Sequence, residues 1–158
     1  MGLFTKDKAL EIMAPVDGEI IELSKVEDEV FAEGMLGEGL AFIPANGKFY
    51  APMDGTLVTV FPSGHAYGIK NKSGVEALLH IGMDTVSLDG EGFDVKVKQD
   101  KKVMAGDLLV EVDLDLIAKK VPSIQTPLVF TSESMNGKKI EILKTGKVKQ
   151  GEAIAKIV

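Results

Sequence analysis

Two histidines are the residues of this chain best suited to nucleophilic or metal chemistry, and the chain has only these two. His65 and His80 flank the segment Asn71-Lys72-Ser73-Gly74, which is a strong turn signal because Asn and Gly tolerate positive φ. The β-prone runs on either side of this turn predict a β-hairpin. With a loop of four residues, His65 lies directly opposite His80, and both imidazoles project from the same face of the sheet.

Two imidazoles at one place, in a chain of 158 residues without cysteine, allow three kinds of site. The first is a phosphohistidine, because a neutral imidazole nitrogen is nucleophilic near neutral pH, with the second histidine and Ser63 donating hydrogen bonds to the phosphoryl oxygens. The second is a zinc site in which His65, His80 and Asp84 are ligands and a fourth position stays open. The third is structural packing of two histidines in a sheet, and the residues alone leave all three open.

The composition restricts the partners and the compartment. The net charge of −6 and the isoelectric point of about 5.0 argue against nucleic acid, which binds basic surfaces. No apolar run approaches the roughly 20 residues of a membrane span, and the absence of cysteine fits a reducing compartment, so we expect a cytoplasmic protein without membrane insertion. The length favours one domain over residues 1–158, in which about residues 1–10 are expected to be loose.

Short β-prone runs between turn signals, together with 17 glycines, predict an all-β, antiparallel sandwich or barrel with a few short helices. One helix is expected over residues 113–119, which begin at an aspartate cap and end before a proline, and single turns are expected after Asp84 and within residues 26–31. The predicted strands are residues 18–23, 39–43, 48–50, 55–61, 65–70, 75–81, 93–97, 108–112, 128–130, 139–143 and 153–158.

Two sequence patterns each occur twice in the chain. Ala14-Pro15-Val16-Asp17-Gly18 matches Ala51-Pro52-Met53-Asp54-Gly55, and each predicts a turn that leads into a strand. Residues 102–108 likewise match residues 147–153, and each copy is followed by a strand. These repeats predict two interlocked half-motifs, similar to the hybrid barrel-sandwich elements of biotinyl and lipoyl carriers and their duplicated relatives.

The segment around His80 resembles the signature of a known family. Gly74-Val75-Glu76-Ala77-Leu78-Leu79-His80-Ile81-Gly82-Met83-Asp84-Thr85-Val86 is similar to that of the glucose-family IIA component of the bacterial sugar phosphotransferase system, in which the histidine after three apolar residues is phosphorylated. His65-Ala66-Tyr67-Gly68-Ile69 resembles the segment with the family's second active-site histidine, and residues 30–39 resemble its apolar docking segment. The resemblance runs from about Met13 to the end of the chain.

The resemblance implies roles for individual residues. His80 would be the phosphorylated nucleophile, His65 would contact the phosphate, and Ser63 would hydrogen-bond to the second histidine at a position where the family often has threonine. Asp28 and Asp84 would form an acidic rim that faces a basic partner. The apolar docking face around the histidine would comprise Val30, Phe31, Met35, Leu36, Phe61, Leu78 and Val86. From the residues alone, the two phenylalanines of this set are explained equally well as core.

The activity implied by the resemblance is that of a cytoplasmic, monomeric phosphocarrier with no required cofactor. It would accept phosphate from the histidine-containing phosphocarrier protein and pass it to a cysteine in the IIB domain of a sugar permease, with regulatory targets as further partners and the sugar left open. Some relatives bind zinc between the two histidines, so His65 and His80 are also metal candidates. The alternatives are a zinc-dependent hydrolase on a related duplicated hybrid fold and a biotinyl or lipoyl carrier, which is disfavoured because Lys72 lies outside a carrier motif.

Overall fold

The structure, a computed structural model, describes residues 9–158 of the chain. Short antiparallel strands dominate this part, which confirms the predicted all-β class. The strands are β1 (Leu10–Met13), β2 (Gly18–Glu22), β3 (Gly37–Pro44), β4 (Lys48–Tyr50), β5 (Gly55–Val60), β6 (Ala66–Lys70), β7 (Glu76–His80), β8 (Phe93–Val95), β9 (Lys102–Val103), β10 (Leu108–Val112), β11 (Thr126–Thr131), β12 (Ile140–Ile142), β13 (Gly146–Val148) and β14 (Ala153–Ile157). The connections include the helices α1 (Glu29–Ala32), α2 (Leu114–Lys120) and α3 (Ser132–Met135), and the 3-10 turns Leu23–Lys25 and Thr85–Leu88.

The described strands form one large sheet and two small ones. The large sheet has the order β13-β2-β3-β11-β7-β6-β5-β9, and the small sheets are β1-β14-β12 and β4-β10-β8. Ile12 of one small sheet, Phe49 of the other and Phe130 of the large sheet are fully buried in the same apolar core. The sheets therefore pack around one shared interior, and the histidine hairpin, β6–β7, lies within the large sheet with a neighbour on each side.

The repeated sequence patterns occupy equivalent places in the fold, which confirms the duplication. β2 pairs with β13 at one edge of the large sheet, and β5 pairs with β9 at the other edge. The two halves exchange backbone hydrogen bonds, because the Met13 N–H donates to the Pro52 carbonyl (2.9 Å) and the Tyr50 N–H donates to the Pro15 carbonyl (2.8 Å). The halves are interlocked, as the paired repeats predict.

Several element bounds agree with the sequence prediction. β4 and β10 have the predicted ends, and α2 follows Asp113, whose Oδ1 accepts a hydrogen bond from the Leu116 N–H (3.1 Å) as an N-terminal cap. The sequence did not predict β1, β9, β13 or α3. The expectation that about residues 1–10 are loose falls mostly on residues 1–8, which lie outside the described residues, whereas Leu10 opens β1 and pairs with Ile157. Among residues 9–158 there is no helix with the length and apolar composition of a membrane span.

The predicted register of the histidine hairpin is wrong by one residue. His80 pairs with Ala66 rather than with His65, and Lys70 pairs with Glu76. A shift of one residue exchanges the faces of a regular strand, so simple alternation would place the two imidazoles on opposite sides of the sheet. The proximity of the two rings therefore does not follow from strand pairing alone.

The loop between β6 and β7 explains the shifted register. The Asn71 N–H donates to the Val75 carbonyl (2.9 Å), so these two residues are already paired and only three residues remain in the loop. Asn71 Oδ1 also accepts hydrogen bonds from the N–H groups of Ser73 (3.1 Å) and Val75 (2.9 Å). Gly74 closes the loop at φ +97°, a conformation that L side chains rarely adopt.

Candidate functional site

The two imidazoles meet although they are not paired across the strands. Their ring centroids are 5.1 Å apart, and the ring planes cross at 80°. His80 is the last residue of β7, whereas His65 precedes β6 and follows Gly64, which has φ +78°. The turn at Gly64 leads directly into His65, whose carbonyl accepts a hydrogen bond from the Ile81 N–H (2.7 Å).

The protonation of the His80 ring follows from its backbone partner. His80 Nδ1 lies 2.8 Å from the carbonyl oxygen of Gly82, and a carbonyl only accepts hydrogen bonds, so Nδ1 carries the ring proton. Nε2 of the neutral ring then holds the free lone pair. Gly82 adopts φ +74°, and a Cβ at this position would lie 2.6 Å from Thr85 Cγ2, so the turn that presents the carbonyl requires glycine.

The His65 ring is held by a side chain. Its Nδ1 lies 2.6 Å from Ser63 Oγ, and the ring is only 2% exposed. When the Ser63 hydroxyl donates to Nδ1, the ring proton is on Nε2, which is the form that donates a hydrogen bond to an anion. The residue predicted to hydrogen-bond to the second histidine is therefore in place to select its tautomer.

Burial keeps both rings neutral at pH 7. Loss of solvent, and secondarily the neighbouring His80, lower the pKa of His65 to about 4. Loss of solvent also lowers the pKa of His80 below its usual 6.5, while the Gly82 carbonyl and the Asp28 carboxylate partly oppose this by favouring the charged ring. A neutral imidazole with a free nitrogen lone pair is the nucleophilic form, so the site favours attack by His80 near neutral pH.

We expect an NMR titration of the two imidazoles to show both pKa values below 6.5. The His65 resonances should have a midpoint of about 4, and the midpoint of the His80 resonances should lie below 6.5 because the ring is desolvated. The unfolded chain takes up these protons near pH 6.5 and the folded chain does so only at lower pH, so acidification from pH 6.5 towards 4 should lower the free energy of unfolding. A midpoint at or above 6.5 for either ring would contradict the burial argument.

Aromatic rings line the histidine pair on both sides. The Phe31 ring lies 5.2 Å from the His80 ring, and the Phe61 ring lies 5.1 Å from the His65 ring in an edge-on arrangement. Phe61 is 40% exposed, whereas Phe31 is buried in a small core cluster together with Leu23, Val26, Ala41, Met83 and Val129. Phe31 therefore supports the His80 ring from inside, unlike the exposed members of the predicted docking face.

The rest of the predicted docking face is exposed or half-buried around this pair. Met35 is the most exposed of its side chains at 68%, and Leu78 is half-buried on β7. The other exposed members are Val30, Leu36 and Val86. Single exposed apolar residues are ordinary, but a group of them in segments that hold or contact a histidine pair is typical of a protein interaction site.

The two acidic residues predicted for the rim have different local roles. Asp28 caps α1, because its Oδ1 accepts hydrogen bonds from the N–H groups of Val30 (2.9 Å) and Phe31 (3.4 Å). Asp84 is exposed and adopts φ 60° immediately before the 3-10 turn Thr85–Leu88. Asp28 therefore positions the helix whose Phe31 packs on His80, and its charge also acts on that ring.

Substitution of Asp28 should separate these two effects. Asp28→Asn keeps a side-chain cap but removes the charge, so we expect nearly unchanged stability and a further decrease of the His80 pKa. Asp28→Ala removes both and should lower the free energy of unfolding by about 1 kcal/mol. Urea unfolding and the imidazole titration measure the two quantities, and equal destabilisation by both variants would exclude the capping role.

The donor set does not fit a catalytic zinc ion. Among residues 9–158 no three His, Cys, Asp or Glu side chains are grouped closely enough to hold a metal. Asp84 therefore does not join His65 and His80 as a third ligand, and the zinc arrangement considered from the sequence lacks this ligand. Two imidazoles supply only half of the four ligands of tetrahedral zinc.

A duplicated β-sandwich with a neutral, nucleophilic imidazole pair beside an apolar surface defines a histidine phosphocarrier as the class of protein. Comparison with known families gives the same answer: the model of the phosphoenolpyruvate-dependent sugar phosphotransferase system, EIIA 1, matches residues 10–136. The chain belongs to this EIIA family.

Individual relatives agree with this family. The chain is 58% identical over 149 residues to the PTS system glucose-specific EIIA component of Mycoplasma capricolum. These residues are 94% of this chain and 96% of the relative. The solved structure of glucose permease IIA from Mycoplasma capricolum matches with a TM-score of 0.91 and 56% identity, over 96% of this chain and 97% of the other. The glucose-specific EIICBA component of Staphylococcus carnosus is 43% identical over 143 residues, which are 90% of this chain but 21% of that longer protein.

These matches confirm the predicted family, the fold class and the function as a phosphotransferase component that carries a phosphoryl group in sugar uptake. They give no support to the zinc-dependent hydrolase. The roles of single residues are a separate question, which the site geometry addresses.

Proposed function

We propose that His80 Nε2 is the atom that carries the phosphoryl group. The observation that supports this most directly is the 2.8 Å contact between His80 Nδ1 and the Gly82 carbonyl, because it leaves the lone pair on Nε2. Half-burial and the Phe31 ring restrict the orientations of the imidazole, so the nucleophile is positioned before its partner arrives.

Phosphoryl transfer to His80 needs no proton from its nucleophilic nitrogen. The bond from Nε2 to phosphorus forms as the donor's bond to phosphorus breaks, and the donor atom keeps that electron pair. The Nδ1 proton stays on the Gly82 hydrogen bond, so the ring gains positive charge. The Gly82 carbonyl and the Asp28 carboxylate both favour the charged ring and would stabilise this product.

His65 and Ser63 would stabilise the negative charge of the transferred group. With the Ser63 hydroxyl donating to Nδ1, His65 Nε2–H donates to a phosphoryl oxygen. Because His65 is buried, this donor is already oriented and partly desolvated when the phosphoryl group arrives. His65 thus acts by hydrogen bonding and His80 by forming the covalent bond.

The partners follow from the family and from the missing cysteine. We propose the histidine-containing phosphocarrier protein as the donor and a cysteine of a IIB domain as the acceptor, because this chain has no cysteine of its own. The EIICBA relatives, which by their names combine IIA with IIC and IIB, support a permease IIB acceptor. In the second transfer the thiolate attacks phosphorus, and the electron pair of the broken bond returns to His80 Nε2.

Both protein partners would dock on the same apolar face. Val30, Met35 and Leu36 are exposed in the segment that also holds Phe31, whose ring packs on the ring of His80. With Asp28 and Asp84 as acidic rim residues, this face would suit a partner with an apolar centre and basic edges. We further propose that the chain acts as a single IIA domain, monomeric and cytoplasmic, with no required metal and with regulatory targets using the same face.

Glucose is the sugar we propose downstream, because the relative with 58% identity is named glucose-specific. A glucoside-specific EIICBA component of Staphylococcus carnosus, 43% identical, supplies the natural comparison. Transfer from the phosphorylated chain to the isolated IIB domains of a glucose and a glucoside permease should be faster for the glucose protein. Equal rates would contradict glucose as the sugar selected by this chain.

Intact-mass measurement tests the proposal as a whole. The chain is incubated with phosphoenolpyruvate, the histidine-containing phosphocarrier protein and the enzyme that phosphorylates that protein. We expect a gain of about 80 Da that is lost in acid. No gain, with a donor that is active on a known IIA protein, would overturn the relay through this chain.

A further inference from the structure

A second place suited to a ligand lies at one edge of the large sheet, away from the histidines. A groove of about 470 Å³ is bounded by β5, β9 and the loop between β6 and β7. Its lining residues include Lys70, Lys72 and Lys102, and Asp54 is the single carboxylate among them. Three ammonium groups and one carboxylate give this groove a net charge of +2, in a chain whose net charge is −6.

The register of the sheet places two of these lysines on either side of a hydroxyl group. Thr56 on β5 pairs with Lys70 on β6 and with Lys102 on β9. Directly paired residues project from the same face, so the three side chains form one row across the strands. With neighbouring strands about 4.8 Å apart, the two lysine Cα atoms lie about 10 Å apart, a span that their side chains can close around one anion.

Within residues 9–158 the groove lysines have no ion-pair partner. Asp54 Oδ1 accepts a hydrogen bond from the Ala105 N–H (2.8 Å), so this carboxylate is already engaged by the backbone. Glu76 lies across from Lys70 on β7 and shares its sheet face, but the two side chains form no ion pair. The ion pairs of the described part are Lys96–Asp94, Lys120–Glu91 and Lys144–Glu152.

The duplicated fold supplies an internal comparison. The equivalent groove at the other edge of the large sheet lies beside β2 and β13, where Glu19 pairs with Ile43 and with Lys147. The row Lys70–Thr56–Lys102 is there replaced by Ile43–Glu19–Lys147, in which one lysine is matched by one carboxylate. By the same cross-strand pairing Glu76 lies beside Lys70, so the row has two lysines and one carboxylate in one half and one lysine and one carboxylate in the other. The positive row is therefore a property of these side chains and not of the fold.

We propose that the groove between β5, β9 and the β6–β7 loop binds the phosphate group of a small organic phosphomonoester. A dianion matches the two unpaired ammonium groups, and the Thr56 hydroxyl donates to an oxygen between them. Lys72, at the hairpin tip, supplies a third cation at the rim. The volume of the groove suits a molecule of metabolite size.

The site is separate from the phosphoryl relay. Lys70 and His65 lie at opposite ends of the first strand of the hairpin, five residues or about 17 Å apart at 3.4 Å per residue. Substitution of the groove lysines should therefore leave phosphorylation of the chain unchanged. This separation makes ligand binding and phosphoryl transfer independent measurements.

The test is a titration of the full chain with methyl phosphate at pH 7.5, in which the amide chemical shifts are measured by NMR. Methyl sulfate has the same shape and one charge less, so it controls for simple anion attraction. The double variant Lys70→Gln/Lys102→Gln removes the proposed site, and Lys147→Gln/Lys149→Gln removes two lysines from the equivalent groove. Thr56→Val probes the hydroxyl with little change of shape.

We expect saturable shifts at Thr56, Lys70 and Lys102 that weaken about tenfold in Lys70→Gln/Lys102→Gln and persist in Lys147→Gln/Lys149→Gln. Binding should be weaker for methyl sulfate, and for methyl phosphate below about pH 6, where the dianion takes up a proton and becomes a monoanion. Non-saturating shifts of equal size at both grooves would overturn the proposal. So would shifts that survive the loss of Lys70 and Lys102, or lysine-dependent binding to phosphatidic acid vesicles without binding of methyl phosphate.

Discussion

The chain with His80→Ala is expected to gain no phosphate under conditions in which the unsubstituted chain gains about 80 Da. The alanine variant lacks His80 Nε2, the nitrogen whose lone pair stays free because the Gly82 carbonyl engages Nδ1. We do not expect His65 to replace it, because its ring is buried and, with the Ser63 hydroxyl donating to Nδ1, its Nε2 is a hydrogen-bond donor. Intact-mass spectrometry after incubation with donor measures the outcome directly.

Loss of folding must be distinguished from loss of the nucleophile. His80 is half-buried at the end of β7, so its removal leaves the main core intact, and thermal unfolding should show a folded variant. His80→Asn is the matched control, since its amide nitrogen, bonded to Cγ as Nδ1 is, can keep a hydrogen bond to the Gly82 carbonyl without supplying a nucleophilic nitrogen. A stable phosphoryl adduct on either variant would place the acceptor on another residue and contradict the assignment.

Residue identity alone narrows the candidate site in this sequence. A chain with two histidines and no cysteine offers few nucleophiles, and the resemblance around His80 selects among them. The geometry within the site was harder to predict. The proximity of the rings was expected from direct pairing, which is wrong, because His80 pairs with Ala66 and His65 lies just before β6, after the turn at Gly64.

The register error shows the limit of turn rules. Asn71-Lys72-Ser73-Gly74 contains residues that suit loops of two, three or four residues, and only the hydrogen bonds made by Asn71 select three. Those bonds depend on backbone positions that the sequence pattern does not specify. A single residue of loop length then moves every pair along β6 and β7.

Two of the strands missing from the sequence prediction, β9 and β13, are short and depend on pairing with a neighbouring strand. β9 has two residues and β13 has three, too few for a periodic signal, and each is stabilised by pairing with the first strand of its half-motif. The sequence repeat at residues 102–108 and 147–153 was the available signal, because it marks both as equivalent elements. Burial of Phe31 was equally open from sequence, since docking and core residues are both apolar.

Replacement of His65 should separate acceptance of phosphate from its delivery. The His65→Ala chain keeps His80, its Gly82 hydrogen bond and its lone pair, so we expect it still to be phosphorylated. It loses the buried donor that would stabilise charge on the transferred group, and loss of such a donor costs about 10²–10³-fold in rate. Transfer to a IIB domain should therefore slow by roughly this factor, as measured by quenched-flow decay of the phosphorylated chain.

Two further variants identify the hydrogen bond as the cause. His65→Gln can place an amide N–H near the same position and should recover part of the transfer rate, which a loss of packing alone would not predict. Ser63→Ala leaves the His65 ring without the hydroxyl that selects its tautomer, so it should slow transfer less than His65→Ala, and Ser63→Thr should behave like the unsubstituted chain. Complete loss of phosphate acceptance in His65→Ala would contradict this division of roles, because it would make both imidazoles part of the covalent step.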